Sequence, residues 1–183
     1  MSDDQILLLI RNEAQQEQGF RLLMEQYQER LYWHIRRMVV DHEDANDVIQ
    51  NTFIKVFKSI RRFEGKSALY TWLYRIATNE AITFINSKKK KATADLDSDE
   101  NNLENQLAAD DYFDGDRAQI LLQKAMSQLP EKQRLVFQLR YYEEMSYKEM
   151  SEVLETSVGA LKASYHHAVK KIESYFLEVG SSS

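Results

Sequence analysis

The sequence predicts an all-α fold made of two small helical domains joined by an acidic, flexible linker. Only 5 of the 183 residues are glycine and one is proline, too few for the frequent turns of a β-sandwich or barrel. Apolar residues instead recur every three or four positions over long stretches, which is the spacing of one buried helix face. The chain contains no cysteine, which excludes disulfides, thiolate catalysis and cysteine-ligated zinc.

Three helices are predicted before a glycine at position 65. The first spans 3–13 and the second spans 17–39. The second presents one apolar stripe, which consists of Phe20, Leu23, Met24, Tyr27, Leu31, Ile35 and Met38. The third spans 43–62 and has an apolar face consisting of Ile49, Phe53, Val56, Phe57 and Ile60.

The third helix also carries a polar stripe, in which Asp44, Asp47 and Gln50 recur at every third position. Acidic residues near a helix start are favoured by the helix dipole, which is the simplest explanation of the two aspartates. A docking face for a basic partner surface is the functional explanation. The spacing alone leaves both open.

A fourth helix is predicted over 68–87, after a short loop over 63–67 that Gly65 punctuates. Its predicted inward-facing residues are Leu69, Trp72, Leu73, Ile76, Ala77 and Phe84. Its predicted polar face consists of Thr71, Arg75, Thr78, Asn79, Asn86 and Lys90.

This polar face carries the groups that bind nucleic acids. Arginine and lysine neutralise phosphates, whereas asparagine and threonine hydrogen-bond to base edges or sugars. Phe63 and Tyr70 flank the loop and are candidates for stacking on an unpaired base. The alternative interpretation is that the aromatic residues all pack internally and that the lysine run 88–91 is a solvated helix end.

The net charge of −5 conceals a division of charge along the chain. Residues 55–91 contain 10 basic and 2 acidic side chains, whereas residues 92–116 contain 9 acidic and none basic. The acidic stretch has few large apolar residues and buries too little surface to offset its ordering entropy. We therefore expect a first domain over 1–91, a linker over 92–116 and a second domain over 117–183. A solvated surface loop is the alternative interpretation of the acidic stretch.

Two helices open the second domain. One is predicted over 117–129, with an apolar stripe of Ile120, Leu121, Ala125 and Leu129. Pro130, the only proline, is predicted to start the next helix, where its missing N–H has no cost. That helix carries Leu135, Val136, Leu139 and Tyr142 on its apolar face.

The last two predicted helices form a helix-turn-helix. Residues 146–149 read Ser-Tyr-Lys-Glu, a capping box, and residues 155–157 form a short turn in which Ser157 caps the final helix. The final helix is predicted to turn inward Val158, Leu161, Tyr165, Ala168 and Ile172. Its outer face carries Lys162, His166 and Lys170, an arrangement typical of helices that enter a DNA major groove. A packed helix pair with a solvated face is the alternative.

Taken together, these motifs resemble the extracytoplasmic-function (ECF) sigma factors of bacterial RNA polymerase. The similarity covers residues 15–90 and 117–177. It is carried by DANDVIQNTF at 44–53, by FEGKSALYTWLYRIATN at 63–79, by LPEKQR at 129–134 and by the helix-turn-helix at 146–172. The resemblance implies a region 2 helical bundle followed by a region 4 helix-turn-helix.

The resemblance also implies roles for individual residues. Docking on the β′ clamp helices of core polymerase would use Asp44, Asp47, Gln50 and Phe53. Recognition and melting of the −10 element would use Phe63, Lys66, Ser67, Thr71, Trp72, Arg75, Asn79, Lys88, Lys89 and Lys90. Recognition of the −35 element would use Ser157, Lys162, Ser164, His166, His167 and Lys170. Many relatives have arginine where this chain has Ser164, His167 and Val169, so a different or weaker reading of the −35 element is expected.

The expected partners are core RNA polymerase, through its β′ clamp helices and β flap, promoter DNA, and an anti-sigma factor. A helix-turn-helix regulator that acts without polymerase is the alternative function, but it leaves the stripe of the third helix unexplained. An enzyme is not expected, because the four histidines form no HExxH pair and the chain has no glycine-rich phosphate loop. We expect no cofactor and a cytoplasmic location, since the acidic N-terminus lacks the basic start of a secretory signal.

Overall fold

The computed structural model describes residues 1–94 and 116–182, and the chain divides into two compact units, Met1–Leu96 and Asp97–Ser183. All regular elements within the described residues are helical. The prediction of a flexible acidic linker falls almost wholly outside them. No helix in the described parts combines the length and the apolar character needed to cross a bilayer.

The first unit contains α1 (Asp3–Arg11), α2 (Gln16–Val39), α3 (His42–Ser59) and α4 (Leu69–Ala94), with a 3₁₀ turn at Ile60–Arg62 after α3. α1 begins with a capping box between Ser2 and Gln5, and the Asp41 carboxylate caps α3 by accepting a hydrogen bond from the Asp44 N–H. α1 packs on α2, and α2, α3 and α4 pack on one another. These contacts bury the leucine and isoleucine residues of the α2 stripe.

Three predicted helix ends in the first unit differ from the structure. The third helix, predicted to reach residue 62, ends as an α-helix at Ser59 and is followed by the 3₁₀ turn Ile60–Arg62. α1 ends at Arg11 because the Asn12 side chain accepts a hydrogen bond from the Ala14 N–H at 3.0 Å, a local turn that competes with the helix. α4 continues seven residues beyond the predicted end because lysine and alanine are strong helix formers even where the apolar stripe has ended. Residues 92–94, which the charge pattern assigned to the linker, are therefore helical.

α1 and α2 meet closely at Gly19, which is buried. A Cβ built on Gly19 would lie 2.8 Å from the Ile10 backbone nitrogen, 2.8 Å from Ile10 Cγ1 and 2.9 Å from Leu9 Cβ. Backbone atoms cannot yield without moving the helix, so the glycine sets the distance between the two helices.

We expect Gly19→Ala to destabilise the first unit by about 2 kcal/mol. Overpacking costs roughly 3 kcal/mol at the upper end of its usual range, and alanine in a helix returns roughly 1 kcal/mol. Both tryptophans, Trp33 and Trp72, lie in this unit, so denaturant unfolding followed by tryptophan fluorescence measures it directly. The neighbouring exposed substitution Gln18→Ala serves as the control and should stay within roughly 0.5 kcal/mol of the parent. Equal stability of the two variants would show that α1 can shift freely.

The second unit contains α5 (Arg117–Ser127), α6 (Glu131–Tyr141), α7 (Tyr147–Leu154) and α8 (Val158–Ser181). Pro130 is the N-cap of α6 and not its first helical residue, with an extended ψ of 143°. α8 packs against α5, α6 and α7. One core cluster joins α5, α6 and α8 through Ala125, Met126, Leu129, Phe137, Ala168 and Ile172.

The predicted helix-turn-helix consists of α7 and α8. The capping box at Ser146 and Glu149 is present, and the Ser157 hydroxyl accepts a hydrogen bond from the Ala160 N–H. Glu155 turns the chain with a left-handed φ of 52°, and the Ser151 hydroxyl donates to the Thr156 carbonyl at 2.7 Å. The prediction that Val158 points inward is wrong, because this first helical residue lies beyond the edge of the core and is 37% exposed.

Candidate functional site

An open apolar groove of about 400 Å³ runs between α2 and α3. It is lined by Phe20, Met24, Gln28, Ile49, Gln50, Phe53, Ile54, Phe57 and Lys58. Of the residues predicted to dock on polymerase, Gln50 and Phe53 line this groove, and Asp47 is exposed one turn before Gln50. Gln50 is exposed, whereas Phe53 is buried and forms the floor.

Two further residues of the groove did not emerge from the sequence as surface residues. Ile54 is 51% exposed and Phe57 is 49% exposed. Phe57 was predicted to lie on the buried face of its helix, and this prediction is wrong: about half of the residue is exposed, although its ring packs roughly perpendicular to that of Phe20, at a centroid distance of 5.0 Å. The signal in the sequence was the width of the apolar sector of α3, which is broader than one packed face requires.

The fourth predicted docking residue, Asp44, lies away from the groove and pairs with α4. Its carboxylate is 2.6 Å from the Lys88 Nζ, and this pair connects the start of α3 with the end of α4. Lys55 and Glu80 form a second ion pair between the same two helices. A residue predicted to contact polymerase is thus bonded to one predicted to contact DNA.

Two aromatic side chains, Phe63 and Trp72, pack together at the loop predicted to act in promoter melting. Phe63 is buried, with its ring centroid 5.2 Å from that of the half-buried Trp72. The Phe63 carbonyl accepts a hydrogen bond from Arg11 Nη2 at 3.3 Å. Gly65 has a φ of +73°, a conformation that favours glycine. Within the loop, Lys66 is exposed and Ser67 is partly buried.

On α4, five of the predicted DNA-facing residues are exposed, and they form two groups. Arg75 and Asn79 are exposed and lie four residues apart, on one face. Lys88, Lys89 and Lys90 are exposed in the last turns. Thr71 is 1% exposed, because it continues a buried stripe of the helix consisting of Thr71, Tyr74, Thr78 and Ala81. The assignment of Thr78 to the polar face is wrong for the same reason.

Thr78 forms a buried hydrogen bond with His34 of α2. The His34 Nε2 lies 2.8 Å from the Thr78 Oγ1, and the imidazole also contacts the Tyr74 ring at a centroid distance of 5.0 Å. Burial, assisted by the positive charge of Arg37, lowers the pKa of His34 from 6.5 to about 3. A neutral histidine therefore fixes α4 against α2 directly behind Asn79.

In the second unit, the outer face of α8 carries most of the residues predicted to read the −35 element. Lys162, His166, His167 and Lys170 are exposed. Ser164 is partly buried, and Ser157 is exposed while its hydroxyl caps the helix. The arrangement offers positive charge and hydrogen-bonding groups along one helix, the chemistry that a DNA groove accepts.

Comparison with known proteins agrees with this arrangement. The Sigma-70 region 2 family model matches residues 23–91, and the Sigma-70 region 4 model matches residues 119–172. The RNA polymerase sigma-H factor of Pseudomonas aeruginosa is 31% identical over 175 residues, which cover 86% of each chain. The ECF RNA polymerase sigma factor SigW of Bacillus subtilis is 32% identical over 160 residues, covering 82% of this chain and 84% of the relative.

Solved structures share the fold. The sigma factor RpoE of Bartonella quintana, solved with the anti-sigma factor NepR, superposes with a TM-score of 0.73 at 20% identity, covering 86% of this chain and 96% of RpoE. CnrH, solved with the cytosolic domain of CnrY, gives 0.69 at 18% identity and covers 97% of each chain. A regulator that acts without polymerase is not favoured, because both sigma regions match in their family order. The chain therefore belongs to the ECF sigma factors of RNA polymerase and is a transcription initiation factor.

Proposed function

We propose that this sigma factor docks on core polymerase through α3, opens the −10 element with the loop and exposed face of α4, and reads the −35 element with α8. The observation that carries the proposal is the groove beside Asp47 and Gln50, an exposed apolar surface within the region 2 match. The protein would act in the cytoplasm and without catalytic activity of its own. We propose domain limits close to 1–91 and 117–183.

Docking is supported by the composition of the α3 surface. An apolar centre formed by Phe53, Ile54 and Phe57 is flanked by the exposed polar groups of Asp47 and Gln50. Protein interfaces combine such an apolar core with a polar rim. The β′ clamp helices would occupy this groove, and the acidic side chain would pair with a basic group of the clamp.

Opening of the −10 element is supported by the arrangement around Trp72. A flipped base costs a few kcal/mol of unstacking, and a pocket that provides stacking and hydrogen bonds offsets that cost. Trp72 is half-buried, rests on Phe63 and is followed on α4 by the exposed Asn79. We assign the edge hydrogen bonds to Asn79 and the phosphate contacts to Arg75 and the lysines 88–90. Thr71 packs in the core and has no direct contact in this proposal.

An anti-sigma factor is the third proposed partner. RpoE of Bartonella quintana was solved with the anti-sigma factor NepR. The apolar groove of the first unit is a surface that such an inhibitor can cover, and covering it blocks polymerase docking at the same time.

Run-off transcription tests the proposed function. Core polymerase and the purified chain are incubated with genomic fragments, and transcript starts are mapped on those that give a product. We expect co-purification with core polymerase and transcripts from a defined set of promoters. Absence of both would overturn the proposal, and a shift of duplex DNA by the chain alone would favour a polymerase-independent regulator.

We expect Asn79→Ala to impair promoter opening about tenfold while leaving core binding intact. Asn79 is exposed and its loss removes a hydrogen-bonding group from the proposed base pocket without opening a cavity. Permanganate reactivity of the −10 thymines measures opening, and fluorescence anisotropy measures core binding. Thr83→Ala, an exposed substitution one turn further along α4, is the control. Equal loss of core binding would instead identify Asn79 as a structural residue.

A further inference from the structure

Tyr147, the first residue of α7, contacts two cations. Its ring centroid lies 5.0 Å from the Arg140 Cζ and 5.7 Å from the Lys162 Nζ. Tyr165 of α8 contacts the same ring edge-to-face, at a centroid distance of 6.4 Å. The Arg140 guanidinium is itself anchored, because its Nη1 donates to the Met145 carbonyl at 2.8 Å. The half-buried ring therefore connects α6 with the exposed face of α8.

Lys162 is the basic residue of the first half of α8. It is the only lysine or arginine in residues 158–169, the half of the helix whose residues contact base edges in helix-turn-helix complexes. A lysine side chain has four flexible methylene groups, and fixing it on DNA costs rotamer entropy. A contact that orients the ammonium before binding reduces that cost.

We propose that Tyr147 is a positioning residue for promoter binding, whose ring holds the Lys162 ammonium ready for the upstream DNA. The inference rests on the proposed function of α8 and adds to it a residue outside that helix. The ring acts by cation–π attraction, which operates within about 6 Å of the centroid and is strongest for electron-rich aromatic faces. The hydroxyl is not required.

Lys170 provides an internal comparison. It lies eight residues beyond Lys162, which places it about 12 Å further along the helix axis. That distance is too great for the Tyr147 ring to attract both ammonium groups. Tyr147 should therefore be coupled to Lys162 and independent of Lys170.

A double-mutant cycle measures this coupling in the full chain bound to core polymerase. The probe is a labelled promoter fragment identified by the run-off mapping, and its dissociation constant is determined by fluorescence anisotropy. We expect Tyr147→Leu to weaken binding two- to fivefold, the usual range for an exposed cation–π pair. Lys162→Gln should weaken it about tenfold through loss of a DNA contact, and adding Tyr147→Leu should then change nothing further. In the Lys170→Gln background, Tyr147→Leu should still weaken promoter binding two- to fivefold.

Further variants at position 147 distinguish loss of the cation–π contact from unfolding of the second unit. Tyr147→Phe should retain the affinity of the parent. Incorporation of pentafluorophenylalanine at the same position keeps the size of the ring but removes its negative face, so it should reproduce the loss seen with leucine even where leucine unfolds the unit. If the affinity is unchanged by fluorination, or if the effects of Tyr147→Leu and Lys162→Gln multiply, the inference is overturned while the proposed function stands. If Lys162→Gln has no effect, both the inference and the DNA-contacting role of Lys162 are overturned.

Discussion

Ile54→Glu should weaken binding of this sigma factor to core polymerase about 100-fold and leave its fold intact. The side chain is half exposed on α3 and lines the α2–α3 groove, so glutamate is hydrated in the free protein. On docking, the carboxylate would lose its water inside an apolar contact without a partner, at a cost of about 3 kcal/mol. Since each 1.4 kcal/mol changes a dissociation constant tenfold, this corresponds to about two orders of magnitude. Titration of labelled sigma factor with core polymerase measures the change.

Leu8→Glu is the matched control for this substitution. Leu8 lies on α1 of the same unit and is 66% exposed, yet it does not line the groove. The same change of apolar side chain to carboxylate should there leave core binding within about twofold of the parent. Phe57→Glu, at the other exposed apolar residue of the groove, should behave like Ile54→Glu. Retention of tight binding by both groove variants would place the polymerase contact elsewhere on the chain.

Acidification should destabilise the first unit through His34. In the unfolded chain this histidine binds a proton below pH 6.5, whereas in the folded chain it remains neutral down to its pKa of about 3. The unfolded state therefore binds more protons between these values, and stability falls as the pH falls. The loss approaches 1.4 kcal/mol for each pH unit below 6.5, or roughly 2–3 kcal/mol by pH 4.5.

His34→Gln isolates this contribution because the glutamine amide can still hydrogen-bond to Thr78 but does not titrate. Chemical unfolding followed by tryptophan fluorescence gives the stability of the first unit between pH 7.5 and 4.5. The parent should lose stability more steeply than His34→Gln, with carboxylate titration common to both. His167→Gln, at an exposed histidine of the second unit, should keep the slope of the parent. Parallel curves for parent and His34→Gln would mean that His34 is accessible to protons in the folded protein.

The sequence predicted the order and type of the helices because long apolar stripes and caps are local signals. The capping residues Ser146 and Ser157 act as predicted because their partners lie within three residues along the chain. Helix ends were less predictable. The extension of α4 depends on the helix propensity of lysine and alanine and on the ion pair of Lys88 with Asp44, and the spacing of apolar residues reveals neither.

The functional surfaces were less predictable because exposure depends on contacts between distant segments. Phe57 could not be assigned to the surface from α3 alone, since its exposure depends on how little of it α2 covers. Thr71 fits the polar face by residue type, yet the neighbours of α4 bury it. Arg11 contacts Phe63, which lies 52 positions away along the chain. Tyr147 contacts Lys162, which lies 15 positions away. No periodicity reveals such pairs.

If Asp44 contacts polymerase and Lys88 contacts DNA, as the family resemblance implies, the ion pair between them competes with both partners in the free chain. While the pair is formed, the carboxylate is neutralised toward a basic protein surface and the ammonium is neutralised toward a phosphate. The Lys88 side chain is 62% exposed, and ion pairs at the surface contribute at most about 1 kcal/mol and weaken in salt, so either partner would displace the contact at little cost. Because both charges would be released together, whichever partner bound first would expose a charge for the second. Assembly on polymerase and binding of DNA would then be linked through this ion pair between α3 and α4.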